Sequence, residues 1–463
     1  MVTVTPGQQF AESLRATRVG VIGFGLTGQA TAKALLALGA EPLVVDTRPA
    51  EEVRELAVQI EALGLQPTPG PQAVAGLAGL PLVVVSPGVV LPADVESKLR
   101  QAGTRLIAEI ELAYLLARGP IVAITGTNGK STTTRMVAEM LKAAGIPAII
   151  GGNIGEPLVE KVLSAGPGEI LVAEVSSFQL EGCDKFRPAA AALLNVRADH
   201  LDRHGALEAY VAVKSRIFAQ QHENDLAVGN YDDALVRAVV EQTKSQRAFF
   251  SRQTQPQPGA YLKGDQLLLA LEAKPTPICT VNELPLPGGH NVENSLAACL
   301  LAARCGAPPE AMRRALLSFE LAAHTLEEVG TYHGRRYVND SKGTNPAATA
   351  AALEALGYPV VLIAGGSDKR LDFEELLEAL QNWAKAVIAM GQTAPQLERV
   401  ARRAGLEQVL RARDLTEAVR QAATVSQPGD TVVFSPASAS FDMFRDYRDR
   451  GEQFRRAVRE DAQ

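Results

Sequence analysis

The hydrophobic positions of this chain fall into short runs rather than strict alternation: 19–22, 43–45, 82–85, 121–124, 170–173, 190–194, 360–363, 387–390 and 431–434. Such runs, often β-branched and closed by polar turns, suit strands buried on both faces, as in parallel sheets. Helical spacing lies between them, most plainly at 132–144 and 291–305. Strand, turn, helix and strand in repeated succession predict an α/β chain of three domains. These are a Rossmann-like N-terminal domain at 1–118, a central phosphate-loop domain with a mostly parallel sheet at 119–322, and a Rossmann-like C-terminal domain at 323–463. A segment rich in Gln, Pro and Gly, 251–259, reads as a surface loop with some antiparallel strands around it, and 322–325 as a linker. No short repeat, low-complexity tract or heptad pattern suggests a scaffold.

Length supports this division, since 463 residues exceed one ordinary core and point to about three domains. A formal charge of −6 argues against a nucleic-acid partner, which normally meets a basic face. The first 17 residues lack a basic segment followed by an apolar one, and no apolar run approaches the roughly 20 residues that span a bilayer. A soluble, cytoplasmic protein with no membrane insertion is expected. Cys183, Cys279, Cys299 and Cys305 form no C-x-x-C pair and read as buried reduced thiols, so no zinc site is expected.

The candidate chemistry begins at Gly126-Thr127-Asn128-Gly129-Lys130-Ser131-Thr132, directly after the run 121–125 and before a helical stretch. Small residues let backbone N–H groups close around phosphate oxygens, Lys130 can reach terminal phosphates, and a hydroxyl of Ser131 or Thr132 can ligate Mg²⁺. Ile124 stands where the general pattern has its first glycine, which makes this a compact G-x-x-G-K-S variant. Gly23, Gly25 and Gly28 form a second glycine turn, with Asp46 at the spacing of a ribose-binding acid. That turn suits NAD, another diphosphate, or only a tight bend.

Glu174, at the end of a strand, can hold Mg²⁺ or cap a helix. The segment 195–204 is dense in ionisable groups just after a strand. His200, with Asp199 beside it, suits a metal or a phosphate, whereas Arg203 and His204 read as solvated loop. Lys214 lies among core-like Tyr210, Val213, Ile217 and Phe218, and by spacing alone it reads as an exposed lysine with a snorkelling stem. Three loops, 340–345, 365–370 and 435–441, follow strands of the third domain and should share one sheet edge. Lys342 and Lys369 would then line a pocket for a small anion.

Gly126 to Thr132, the Glu174-Val175-Ser176-Ser177-Phe178-Gln179-Leu180 run, Asp199-His200-Leu201-Asp202, His290 with Asn294, and Asp340-Ser341-Lys342 together resemble the ATP-dependent Mur ligase family over nearly the whole chain. The short glycine-rich first domain and the Ser-Pro-Ala-Ser-Ala-Ser-Phe-Asp segment resemble the members that add D-glutamate to UDP-N-acetylmuramoyl-L-alanine in the cytoplasmic steps of peptidoglycan synthesis. The resemblance implies ATP and Mg²⁺ as cofactors, an acyl-phosphate intermediate and a monomer. It implies a first Mg²⁺ held by Ser131 and Glu174 and a second held by His200 and a carbamylated Lys214, with Lys130, Glu174, His200 and Lys214 catalytic. It puts ATP on Gly126, Thr127, Asn128, Gly129, Lys130, Ser131, Thr132, His290, Asn294, Asp340 and Lys342. The UDP substrate falls to Leu26, Thr27, Thr47, Arg48, Gly88, Asn153 and His200. D-Glutamate falls to Lys342, Thr344, Lys369, Ser440 and Phe441. One departure stands out: the family usually has Arg after the linker histidine, but Thr325 follows His324, so another cation such as Arg335 or Lys369 is expected to substitute.

Overall fold

The computed structural model describes residues 6–462, and every apolar run named above forms all or part of a strand, except that Leu194 lies one residue past the strand at 190–193. β1 (Arg18–Ile22), β2 (Glu41–Asp46), β3 (Thr68–Pro69), β4 (Leu82–Val85) and β5 (Arg105–Ala108) make a parallel sheet of order β3-β2-β1-β4-β5. The order reverses at β1, so a crevice opens at the carboxyl ends of β1 and β4, where such sheets take ligands.

The second sheet contains β6 (Ile121–Thr125), β7 (Ala148–Gly152), β8 (Ile170–Glu174), β9 (Ala190–Leu193), β10 (Leu226–Asn230), β11 (Gln246–Ser251), β12 (Gly259–Lys263), β13 (Gln266–Ala270) and β14 (Thr276–Thr280). Its order is β14-β13-β12-β11-β10-β9-β6-β8-β7. It is parallel from β7 to β12 and ends in the antiparallel strands β13 and β14 beyond the 251–259 loop. In the third sheet, β15 (Glu327–Tyr332), β16 (Arg335–Asn339), β17 (Val360–Gly365), β18 (Ala384–Met390), β19 (Gln408–Arg411) and β20 (Thr431–Phe434) run β15-β16-β20-β17-β18-β19. Only the edge pair β15–β16 is antiparallel.

One apolar core joins the first two sheets. Val21 and Val84 of the first, Leu171 and Leu193 of the second, and Leu112, Leu116, Leu158 and Val162 of the intervening helices are all buried in it. Helices Leu26–Ala37 and Glu109–Leu116 pack there against Leu158–Ser164. The third sheet has its own cores on its two faces. It meets the second through polar pairs: Asn128 with Asn345, and Lys369 Nζ with Asp199 Oδ1 at 3.4 Å. Apolar burial thus fixes the first two units to each other more firmly than it fixes the third.

Candidate active site

The phosphate loop leaves β6 at Gly126 and enters helix Lys130–Ala143, whose first N–H groups face it. Gly129 takes φ 82°, and a Cβ there would overlap Asn294 Oδ1, so only glycine suits this corner. The strand end after β9 braces the loop. Asn128 N–H donates to Asn195 Oδ1 at 2.8 Å, Asn195 Nδ2 donates to Asn128 O at 3.1 Å, and Arg197 N–H donates to Thr127 Oγ1 at 3.0 Å. Lys130 Nζ donates to Gly126 O at 2.9 Å and Thr127 O at 2.7 Å. Burial lowers its pKa against the pull of Glu174 and Asp199.

At the end of β8, Glu174 accepts from Asn153 Nδ2 at 2.7 Å through Oε1, while its buried Oε2 has no hydrogen-bond partner. A lone buried carboxylate oxygen is costly unless something meets it. His200, at φ 54°, begins a short turn of helix with its ring edge-on to Phe178 at 4.8 Å. Burial lowers the His200 pKa, which keeps the imidazole neutral and able to act as a ligand at neutral pH. Burial works against the charge of Asp199, but Lys369, His200 and Lys130 outweigh it and hold the carboxyl below its ordinary range.

Three cavities meet at this point. The first, of 330 Å³, is lined by Thr127 to Thr132, Glu174, His200, His290, Asn294, Thr325, Asp340, Lys342 and Asn345, among others. Inside it burial pushes Asp340 up to about 7 and His290 down to about 4, and lowers Lys342. The second, of 510 Å³, opens at the crevice of the first sheet and is lined by Leu26, Thr27, Thr47, Arg48, Gly88, Asn153, Gln179 and neighbours. The third, of 450 Å³, holds Lys130, Ser177, His200, Lys214, Thr344, Lys369, Ser440 and Phe441. Asn153 borders all three.

In the second cavity the carboxylate of Asp46 is already committed. It accepts from Phe24 N–H at 2.9 Å and takes Arg48 in a two-pronged contact of 2.9 and 2.8 Å. A ribose would find Asp46 occupied and a guanidinium nearby, an arrangement better suited to a diphosphate than to the ribose pair expected of NAD. Gly28 has a packing reason, since a Cβ there would overlap Gly23 O.

Several sequence expectations need correction. Lys214 is not exposed: it is 1% accessible, donates to Gly126 O at 2.8 Å and lies 4.6 Å from the Tyr210 ring centroid. Its helix lies against the phosphate loop, which the 3.6-residue period cannot reveal. Burial, with Lys130 nearby, lowers its pKa well below the ordinary lysine value. Arg203 and His204 are not solvated loop. Arg203 pairs with Glu181 and lies over Phe178, and the His204 ring sits 3.1 Å from Ser177 Oγ and against Tyr210. Lys342 and Lys369 do not share a pocket; Lys342 lines the first cavity and Lys369 the third, with Thr344 bordering both. His200 borders the first and third cavities but not the second. Arg335 lies at the opposite end of β16 from Asp340, donating to Ser426 O, and does not reach the cavity beside Thr325.

Sequence reasoning passed over Asn345 as a site residue. It exchanges amide hydrogen bonds with Asn128 at 3.1 and 3.3 Å while capping helix Pro346–Leu356. An asparagine directly before a proline and an Ala-rich stretch is a cap signal, but its partner across the domain boundary is not local. Tyr447, which borders the first and third cavities, gave no signal at all.

Family models described as the Mur ligase MurD-like N-terminal domain, the Mur ligase middle domain, and the Mur ligase glutamate ligase domain match residues 17–108, 124–302 and 326–438. The UDP-N-acetylmuramoylalanine--D-glutamate ligase of Pelotomaculum thermopropionicum is 42% identical over 445 residues, covering 95% of this chain and 97% of that one. The chain belongs to the Mur ligase family. A Mur ligase of the same name from Geobacillus kaustophilus is also 42% identical, over 443 residues, 95% of this chain and 97% of its own. Solved Mur ligases share the fold at lower identity. Thermotoga maritima UDP-N-acetylmuramate-alanine ligase MurC gives a TM-score of 0.60 at 19% identity, covering 96% of this chain and 99% of that one. The MurF ligase of the same organism, in complex with ADP, gives 0.60 at 20%, covering 98% and 97%.

Proposed function

We propose that this Mur ligase joins D-glutamate to UDP-N-acetylmuramoyl-L-alanine at the expense of ATP, as the names of its full-length relatives suggest. The observation that carries the reading is the meeting of three cavities at Asn153: a diphosphate crevice, a phosphate-loop cavity and a lysine-bearing cavity. A nucleotide-linked acid lying from the second cavity toward Asn153 would bring its carboxylate to the phosphate loop on one side and Lys369 on the other.

ATP is the consumed substrate of the first cavity, with its base toward His290 and Asn294, its ribose toward Asp340 and its phosphates over the loop. Lys130 would exchange its bonds to Gly126 O and Thr127 O for phosphate oxygens. The substrate carboxylate attacks the γ-phosphorus, the bond to ADP breaks, and an acyl phosphate forms. Lys130 and Lys342 stabilise the charge that develops on the transferred group. The amine of D-glutamate then attacks the acyl carbon, phosphate leaves with its C–O electron pair, and the nitrogen gives up its surplus proton to solvent. Lys369, Thr344, Ser440 and Phe441 surround the space for the amino acid, where an incoming carboxylate would draw Lys369 from Asp199.

The unpaired Oε2 of Glu174 fits a Mg²⁺ ion, with Ser131 in the same cavity and neutral His200 beyond it. Among the described residues no group of three or more His, Cys, Asp or Glu forms a metal cage. Mg²⁺ needs none, because it keeps waters and shares phosphate oxygens. When bound it would offset phosphate charge. The buried amine of Lys214, its pKa strongly lowered, lines the third cavity with His200 and is suited to take up CO₂ and present a carbamate there, where with His200 it would hold a second Mg²⁺.

We propose a monomer, as the resemblance to the Mur ligases implies. We further propose a cytoplasmic protein, since that is where its proposed nucleotide substrates would be met. Among the described residues no helix is long and apolar enough to cross a membrane. The test is phosphate release from ATP with Mg²⁺ and UDP-N-acetylmuramoyl-L-alanine, across D-glutamate, L-glutamate, L-lysine and diaminopimelate. Release with D-glutamate alone is expected; release with another amino acid moves the step, and none at all removes the activity.

A further inference from the structure

Asn345 is 3% exposed, closes the loop 340–345 and caps helix Pro346–Leu356. Its amide has no hydrogen-bonding capacity to spare. Oδ1 accepts from Ala348 N–H at 2.9 Å and from Asn128 Nδ2 at 3.3 Å. The cap decides which end of the amide is which, so Nδ2 is turned toward the central unit. Its two N–H groups go to Asn128 Oδ1 at 3.1 Å and to Asp199 Oδ2 at 3.4 Å. One side chain of the third unit thus reaches two separate parts of the central site.

Both parts carry chemistry. Asn128 belongs to the phosphate loop, and Asn195 holds its backbone N–H and C=O. Among the described residues its side chain hydrogen-bonds only to Asn345. Asp199 accepts from His200 N–H at 3.0 Å and pairs with Lys369. His200 takes φ 54°, a backbone that a residue other than glycine keeps only when its neighbours hold it. Capping alone would be served as well by Ser or Asp at 345. Only an amide can accept at the helix and also donate to Asn128 and Asp199.

We propose that Asn345 is a positioning residue, through which docking of the third unit sets the phosphate loop and, by way of Asp199, His200. The side chain of Asn128 then serves this docking rather than the nucleotide. The effect on turnover rests on the function proposed above; the effect on the loop does not.

The test uses the full chain with Asn345→Ser, Asn345→Asp, Asn128→Ala and the double variant Asn345→Ser with Asn128→Ala. Ser and Asp both cap helices, so melting temperatures of the two Asn345 variants should stay within about 3 °C of wild type. Asn345→Ser loses both donors, and kcat should fall at least about tenfold. KM for UDP-N-acetylmuramoyl-L-alanine, whose cavity Asn345 does not border, should stay within about twofold. Asn345→Asp keeps the shape but sets a second carboxylate against Asp199, so its kcat should fall about tenfold below that of Asn345→Ser. The double variant should be no slower than Asn345→Ser. Hydrogen exchange of the ligand-free chain needs no turnover. Amides of 126–132 should exchange about tenfold faster in Asn345→Ser, while those of β17 and β18 keep their wild-type rates. Unchanged kcat in Asn345→Ser, an Asn345→Asp variant as fast as Asn345→Ser, additive losses in the double variant, or unchanged exchange of the loop would overturn the role. A wild-type chain that releases no phosphate would overturn the proposed function alone, and loop exchange would then decide the docking role.

Discussion

Replacing Glu109 with glutamine removes a buried carboxylate while keeping its shape, and its effect on stability should depend on pH in a direction the structure fixes. Burial raises the Glu109 pKa from its ordinary 4.5 to about 7, against three hydrogen bonds that favour the charge. Below pH 4.5 the group is protonated both folded and unfolded. Between 4.5 and 7 the unfolded chain releases the proton while the folded protein keeps it, so stability falls as pH rises, and above 7 the loss is complete. At about 1.4 kcal/mol per pH unit, that window is worth roughly 3 kcal/mol. Glutamine lacks this term. It also leaves one native donor without an acceptor, a penalty of about 1–3 kcal/mol that does not vary with pH. The difference in stability between Glu109→Gln and wild type should therefore move in the variant's favour by roughly 2–3 kcal/mol from pH 5 to pH 8. Urea unfolding by far-UV circular dichroism measures it. The single tryptophan, Trp383, lies in the third unit and reports on the wrong core. A difference constant to within about 0.5 kcal/mol over that range would refute the reasoning, because it would mean Glu109 ionises normally where it is.

Glu174→Gln should lower turnover at least a hundredfold with little change in melting temperature, since Oε2 meets nothing in the protein itself; a variant turning over at a tenth of wild type or faster would count against its role. Lys214→Ala should lose activity, and short carboxylic acids should restore part of it if a carbamate works there; an unaffected variant would sink that assignment. Arg335 is held elsewhere and Lys369 lines a different cavity, so Thr325→Arg is expected to raise turnover tenfold or more, and an unchanged rate would mean another cation already serves. X-ray scattering with an ATP analogue and both substrates should show the third unit moving against a fixed pair, and profiles unchanged by the ligands would contradict hinged closure.

The parts of this site readable from sequence are those whose chemistry is contiguous. The phosphate loop needs strand, glycines, lysine and helix in immediate succession, and Gly126 to Ser131 supply them within one turn of chain. Glu174 and the three third-domain loops were legible because each closes an apolar run. What the runs could not convey is lateral order. Lys342 follows β16 and Lys369 follows β17, but β20 lies between those strands, so the two lysines part into neighbouring cavities. β15 went unseen because it is a half-exposed edge strand, whose residues Glu327–Tyr332 carry no apolar run. Lys214, His204 and Glu109 were misjudged or missed for a common reason: their burial comes from partners far away in sequence, and local periodicity does not carry that information.

The central claim, that ATP activates the carboxylate of the nucleotide-linked substrate for capture by D-glutamate, is tested most directly by isotope transfer. UDP-N-acetylmuramoyl-L-alanine carrying ¹⁸O in its terminal carboxylate is incubated with ATP, Mg²⁺ and each amino acid, and the released phosphate is analysed by mass. The account predicts one labelled oxygen in each phosphate, appearing with D-glutamate and accompanied by the D-glutamyl product. Unlabelled phosphate, or label released equally well with L-glutamate, would contradict it.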